Sequence, residues 1–216
     1  GSVRKQEGNV KPLFTPSKPI FFKRDDRTKI LYLPTDKPGL RVSYLIDFDN
    51  PAVGEQFIDV DITPELFWHE LSGARTFVMA KDLEEWNREG RYIGAGKKTL
   101  VVIKEDGSTE GLGFRFKNEA VKHKVDDLLG DLSLSDYRLQ GHIIVLEAGH
   151  RDHVELVKMI EKIQTSGSYQ YIKTEEYMKM YNDFKNKYHL PQSFVDYIGS
   201  KMLETMAQTD TESTVS

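Results

Sequence analysis

The run Asn118-Glu119-Ala120-Val121-Lys122-His123-Lys124-Val125-Asp126-Asp127-Leu128-Leu129-Gly130-Asp131-Leu132 decides how the rest of the chain is read. At 100° per residue, Val121, Val125, Leu128, Leu129 and Leu132 fall within one arc of about 100°, the apolar stripe of a helix packed on a core. Asn118 stands where a helix cap is expected. His123, Asp127 and Asp131 recur at every fourth residue and line a separate polar stripe, with Lys124 near Asp131. Side chains one turn apart hold their Cβ atoms about 5–6 Å apart, so an imidazole and a carboxylate can converge on one ion at bonds of about 2 Å. The same spacing also describes an ordinary solvated pair on a helix face. Asp126, three residues after His123, competes with Asp127 for that role.

Downstream, Gly141-His142-Ile143-Ile144-Val145-Leu146-Glu147 reads as a strand. Asp152 and Glu155 form a capping-box pattern that opens a helix to Ile163. Strand, tight turn and helix follow one another directly. Upstream, Thr63-Pro64-Glu65 opens a helix to about Gly73, 81–89 is a short helix stopped by Gly90, and 100–103 is a buried strand ending at Asp106-Gly107. Residues 20–33 and 40–48 read as two strands joined by a turn at Pro34 and Pro38-Gly39.

Residues 1–19 carry Pro12, Pro16 and Pro19 and read as a flexible lead-in, with Gly1-Ser2 in the form of a tag remnant. After 164, Thr165-Ser166-Gly167-Ser168 reads as a linker into Tyr-, Met- and Lys-rich helices and a frayed end beyond Met206. The expected division is a 1–19 lead-in, a 20–164 body and a 165–216 helical tail or extension.

Composition bounds the chemistry. In 216 residues there are no cysteines, so any metal is held by His, Asp or Glu. The net charge of −4 gives no general attraction to nucleic acid, and no window is apolar enough to make an integral membrane segment. A reducing cytoplasm is compatible with this. Gly94-Ala95-Gly96-Lys97-Lys98-Thr99 is not a nucleotide phosphate loop, because Arg91 stands where its first glycine belongs.

Taken in order, several motifs resemble the C-terminal half of the UDP-3-O-acyl-N-acetylglucosamine deacetylase (LpxC) family, zinc-dependent hydrolases of lipid A biosynthesis. The carriers are the His-Lys-x-x-Asp-x-x-Gly-Asp helix at 123–131, the Gly141-His142 strand, Ala148-Gly149-His150, Ala74-Arg75-Thr76-Phe77, and Ile46-Asp47-Phe48 with Pro51. The resemblance implies an α+β fold, a small sheet packed against two helices, with an inserted βαβ segment at 77–103 that lines an acyl-chain passage. It implies that His123 and Asp127 are two of three Zn²⁺ ligands, the motif's spacing selecting Asp127 over Asp126. It further implies that Asp131 orients a catalytic group, that His150 stabilises the oxyanion or protonates the leaving amine, and that Thr76 donates to the oxyanion. Lys124 and Phe77 would contact the UDP-sugar acyl substrate, Lys124 near its phosphates.

The chain departs from the pattern in three places. The family's third ligand and general base come as a Glu-His pair in an N-terminal domain, and none of the six histidines here follows a glutamate. Lys97-Lys98 replace an Asp-Asn, and Glu147 stands where a lysine is frequent. The chain alone is therefore expected to lack deacetylase activity. The stripe of His123, Asp127 and Asp131 is expected to face the missing domain, and when bare to drive self-association or to be covered by the tail through Tyr169, Tyr171, Tyr177, Met178, Met180 and Tyr181. The alternative reading is a non-catalytic binding module that keeps the fold.

Overall fold

The computed structural model describes residues 8, 10–90, 99–111, 113–167 and 173–213, the side chains of Glu84, Asn87 and 205–213 excepted. The stretch 94–98, Tyr169 and Tyr171 lie outside the described residues.

Five strands form the central sheet: β2 (Ile20–Lys23), β3 (Lys29–Leu33), β9 (Gly141–Leu146), β4 (Leu40–Asp47) and β5 (Glu55–Ile62), in that order across the sheet. Only β4 and β9 run parallel; the other neighbours are antiparallel. This corrects the expected pairing of 20–33 with 40–48. The first stretch is itself a hairpin, β2–β3, whose turn is held by the Asp25 carboxylate accepting from the amides of Arg27 (2.9 Å) and Thr28 (2.7 Å). Strand β9 then inserts between β3 and β4. Its six residues are all buried, and a strand apolar on both faces belongs at the centre of a covered sheet.

Alternation at period two sorts the strands into two faces. Ile30, Tyr32, Val42, Tyr44, Ile46, Ile143 and Val145 share a core with Val121, Val125, Leu128 and Leu132 of α3 (Glu119–Leu132) and with Leu156 and Ile160 of α4 (His150–Ser166). Leu31, Leu33, Leu45, Ile144 and Leu146 point the other way, onto Tyr177, Met180 and Phe184 of α5 (Thr174–Asn186) and Phe194, Ile198 and Met202 of α6 (Gln192–Ser213). The tail therefore covers the face opposite α3, not the polar stripe, because its tyrosine and methionine rows match the bare side of the sheet. Ion pairs Lys23–Glu176 (2.9 Å), Lys179–Asp26 (2.9 Å) and the buried Lys29–Asp183 (3.5 Å) fasten α5 to the hairpin.

The expected βαβ insertion is present as β6 (Thr76–Met79), α2 (Ala80–Arg88) and β7 (Leu100–Ile103), with the two strands parallel over a small core of Val78, Leu100 and Val102. Order begins before residue 20. β1 (Leu13–Phe14) pairs with β8 (Arg138–Leu139), and Phe14 is buried with its ring 6.1 Å from those of Tyr32 and Tyr137. Thr63 caps α1 (Pro64–Leu66) by accepting from the Leu66 amide at 3.1 Å, and the helix continues as a π-helical turn, Phe67–Leu71.

Three boundaries differ from expectation. Asn118 precedes α3 in a left-handed conformation (φ 63°) and its side chain caps nothing. Helix α4 starts at His150, two residues before the expected cap: Gly149 is the N-cap and the Asp152 carboxylate accepts its amide at 2.9 Å. The helix also runs through Thr165 and Ser166 to a left-handed Gly167 (φ 65°), so the linker reading fails there.

Candidate active site

Helices α3 and α4 lie side by side on the sheet, and the site forms where the polar stripe of α3 meets the first turn of α4. The N-terminus of α3 is fixed by a buried ion pair. The Glu119 carboxylate accepts from Arg75 Nε at 2.8 Å and from the Arg75 amide at 3.0 Å, tying the Ala74-Arg75-Thr76-Phe77 segment to the helix. Burial alone would raise the Glu119 pKa, but the Arg75 guanidinium and two backbone amides overcome it and lower it.

Strand β9 requires glycine at its start. Gly141 has φ 145°, and a Cβ there would lie 2.5 Å from the Tyr32 ring and 2.7 Å from the Leu33 carbonyl oxygen. At the other end Glu147 is left-handed (φ 46°), a conformation that costs a non-glycine residue about 1–2 kcal/mol. Arg27 holds its carboxylate at 2.8 Å, its amide bonds the Leu45 carbonyl at 2.9 Å, and the chain turns through Ala148 and Gly149 into α4.

That turn brings His150 onto α3. Its Nδ1 lies 2.8 Å from Asp131 Oδ2, and its Nε2 lies 3.7 Å from Asp127 Oδ1. His123 Nε2 approaches the same Asp127 oxygen at 3.1 Å. Lys124 Nζ bonds Asp127 Oδ2 at 3.3 Å rather than Asp131, and sits 6.0 Å from the centre of the Phe77 ring. His123, Asp127, Asp131, His150, Lys124 and Phe77 are thus gathered at one junction. Thr76, at the first position of β6, makes no hydrogen bond to this group among the described residues.

Burial opposes ionisation of Asp127, but the His123 hydrogen bond and the charges of His123, Lys124 and His150 outweigh it and lower its pKa. Asp126 behaves in the opposite way: burial, reinforced by the Asp127 charge, raises its pKa against the pull of His123. Of the two, Asp127 is the one whose carboxylate meets His123, with Oδ1 3.1 Å from Nε2. A nitrogen and an oxygen 3.1 Å apart suit neighbouring positions on one ion, and His123 Nδ1 is buried with no hydrogen-bond partner among the described residues.

Sequence reasoning missed two members. His153, fully buried, places Nδ1 2.8 Å from Asp131 Oδ2, and its Nε2 is 3.0 Å from the Tyr44 hydroxyl, which donates to the Ala148 carbonyl at 2.7 Å. The signal available was the pair His150 and His153, three apart on one helical turn. The signal for Tyr44 was absent, since only the sheet order brings it there. By contrast His142, in the Gly-His motif, faces the tail: Ser43 Oγ lies 2.7 Å from its Nε2 and the Tyr197 hydroxyl 3.1 Å from its Nδ1.

Two cavities lie on this side of the sheet, and Lys124 of the junction lines the first. One of about 670 Å³ is lined by Arg24, Arg27, Lys124, Glu147 and Ala148 among others. The other, about 310 Å³, lies against the insertion and is lined by Phe48, Met79, Ala80 and Ile103 together with Asp49 and Lys81. The arrangement offers a His–Asp pair that could hold a metal, an imidazole hydrogen-bonded to a carboxylate, and a flank that carries Lys124, Arg24 and Arg27 among acidic residues.

Residues 2–162 match the family model for UDP-3-O-acyl N-acetylglycosamine deacetylase, LpxC. The chain is 33% identical over 157 residues to the UDP-3-O-acyl-N-acetylglucosamine deacetylase of Thermodesulfovibrio yellowstonii, covering 72% of this chain and 52% of that protein. It is 34% identical over 145 residues to the one of Oleidesulfovibrio alaskensis (67% and 47%). It is likewise 34% identical over 160 residues to the one of Nitratidesulfovibrio vulgaris (74% and 50%). The chain spans about half the length of these curated relatives. With the match running from before the first strand into α4, over well more than half of its length, the chain belongs to the UDP-3-O-acyl N-acetylglycosamine deacetylase (LpxC) family.

Proposed function

We propose that this chain supplies half of a Zn²⁺-dependent site that hydrolyses the N-acetyl group of UDP-3-O-acyl-N-acetylglucosamine, a cytoplasmic step in lipid A biosynthesis. The observation that carries the reading is the junction itself, where a His123–Asp127 pair at 3.1 Å and an Asp131–His150 pair at 2.8 Å meet on adjacent helices. In this reading 20–164 is the catalytic half and 165–216 an extension.

His123 and Asp127 would hold the metal, leaving the third ligand and the general base to an N-terminal domain outside this chain. Zinc, when bound, polarises the acetamide carbonyl and makes water nucleophilic at neutral pH. Asp131 accepts from His150 Nδ1 and fixes the ring with Nε2 turned toward Asp127. A proton on that Nε2 is then placed to meet the developing oxyanion or the leaving amine. Thr76 would add an oxyanion donor. Lys124, 6.0 Å from the centre of the Phe77 ring and lining the larger cavity with Arg24 and Arg27, would neutralise the substrate diphosphate, and the Phe48, Met79 and Ile103 wall of the smaller cavity would meet acyl carbons.

The test is complementation. Alone, the chain should fold and show no deacetylation with Zn²⁺; mixed with a separately produced N-terminal half of a relative, it should turn over, and His123→Ala should abolish that turnover. Robust zinc-dependent turnover by the chain alone would refute the division of the site. Sedimentation of the isolated chain should also show self-association, relieved by the added half, if the stripe faces that domain.

A further inference from the structure

We infer that the C-terminal tail positions the catalytic imidazole: Asp183 and Tyr188 brace the β2–β3 hairpin and Glu147, so that the turn from β9 into α4 presents His150 to Asp131. The inference rests on the reading of His150 as the group that meets the oxyanion or the leaving amine. It extends the working parts of the site past residue 162, where the family match ends.

The turn has little to hold it from within. Glu147 is left-handed (φ 46°), and Gly149, the N-cap of α4, has no side chain with which to fix the backbone. A strained residue keeps its conformation only where its surroundings over-determine it. Here two arginines of one hairpin supply the surroundings. Arg27 Nε donates to Glu147 Oε2 at 2.8 Å on one side of the turn, and Arg24 Nη1 lies 3.0 Å from both oxygens of Asp152 on the other. The same Asp152 carboxylate accepts the Gly149 amide at 2.9 Å. The hairpin thus brackets Ala148, Gly149 and His150.

That hairpin lies at the edge of the sheet, where β2 pairs only with β3, and α5 grips it at three points. Glu176 meets Lys23 at 2.9 Å, Lys179 meets Asp26 at 2.9 Å, and Asp183 lies 3.5 Å from the Nζ of Lys29. Lys29 is fully buried and also donates to the Asp26 carbonyl at the hairpin's tip. An ammonium taken out of water needs an anion beside it, so the Asp183 contact fixes the tip relative to α5. Tyr188, buried just past the end of α5, acts on the turn directly. Its hydroxyl accepts from Lys187 Nζ at 2.8 Å, which leaves its hydrogen to point at Glu147 Oε1, 3.4 Å away and opposite the oxygen that Arg27 bonds. A displacement of about 1 Å at a reacting group can lower a rate on the order of a hundredfold, so a brace of this kind acts on turnover without touching substrate.

The experiment compares the full chain with Asp183→Asn, with Tyr188→Phe, which removes a single oxygen, and with Asp183→Glu, which keeps the charge. In the chain alone, the Glu147 and Gly149 amides should exchange with solvent at least about fivefold faster in the first two variants, while the β4–β5 ladder at the opposite edge of the sheet exchanges as in the parent. The ¹⁵N signal of His150 Nδ1 should move toward that of an imidazole without its carboxylate partner. Asp183→Glu should return both readouts to the parent's. Mixed with the N-terminal half of a relative, Tyr188→Phe should lower kcat by at least about fivefold and leave KM within about twofold, since Arg24 and Arg27 stay in place. Exchange unchanged at the turn, exchange raised equally across the whole sheet, an unaltered His150 signal, or a loosened turn with the parent's kcat would each overturn the positioning role. Tyr188→Phe decides if Asp183→Asn fails to fold. Absence of turnover in the parent mixture counts against the deacetylase reading alone, because exchange and the His150 signal decide the placement without it.

Discussion

Arg75 and Glu119 are both buried, and their bond at 2.8 Å joins the start of the insertion to α3. Arg75→Met would leave a carboxylate in the interior without its cation, an effect worth about 3–5 kcal/mol. Chemical denaturation should show a loss of that size, and a change under about 1 kcal/mol would mean the pair is dispensable. His142 gives a pH signature instead. Burial, aided by the Arg41 charge and opposed by Asp59, takes its pKa down to about 3. Below pH 6.5 the unfolded chain binds a proton the folded chain refuses, so stability falls as pH drops from about 6.5 toward 3, by up to about 1.4 kcal/mol per unit. His142→Gln should reduce the fall of the denaturation midpoint between pH 6.5 and 4.5, and His153, whose pKa burial also lowers, keeps the remainder. Glu119 and Asp127, whose pKa values are lowered, add their own loss only in more acid solution, so the two effects separate. The His123–Asp127 spacing was legible because it is local. The meeting of Asp131 with His153 was not, because it depends on how two helices pack.

Elements with a strong period were readable from sequence, and α3 shows why: its buried residues Val121, Val125, Leu128 and Leu132 repeat at helical spacing. Helix starts were harder. A glycine cap served by a carboxylate three residues on leaves no hydroxyl or amide at the first position to be recognised, which is why α4 begins before the expected Asp152. The Asp152 carboxylate also takes both oxygens to Arg24 at 3.0 Å, so Asp152→Ala removes a cap and a buried anchor together. A cap alone is worth about 1–2 kcal/mol, and a loss at or above that range is expected in thermal denaturation. Gly130 makes the opposite case. It lies inside α3, and a Cβ there would meet no atom within 4 Å. Gly130→Ala should therefore stabilise the isolated chain by about 1 kcal/mol through helix propensity. A destabilised variant would show a constraint at this position that lies outside the chain's own packing.

At the scale of the whole molecule, strand order and the placement of the tail were the features sequence could not supply. Both rest on pairings between residues more than a hundred positions apart, such as Leu31 with Ile144, and no local signal encodes them. The consequence is testable, because the family match ends at residue 162 while the sheet needs cover on both faces. A chain ending at Gln164 keeps the helices of one face and strips the other. Leu31, Leu33, Leu45, Ile144 and Leu146, all buried against α5 and α6, would become one apolar surface, larger than monomers ordinarily tolerate. The buried Lys29 would lose its partner Asp183 at the same time. The truncated chain should therefore bind hydrophobic dyes, associate in sedimentation and melt well below the parent. Restoring residues 165–216 as a separate peptide should reverse all three, since α5 and α6 carry both the apolar row and the acidic and basic partners of the β2–β3 hairpin. A truncated chain that stays monomeric, excludes dye and melts with the parent would show that the second face of the sheet is stable in water without its helices.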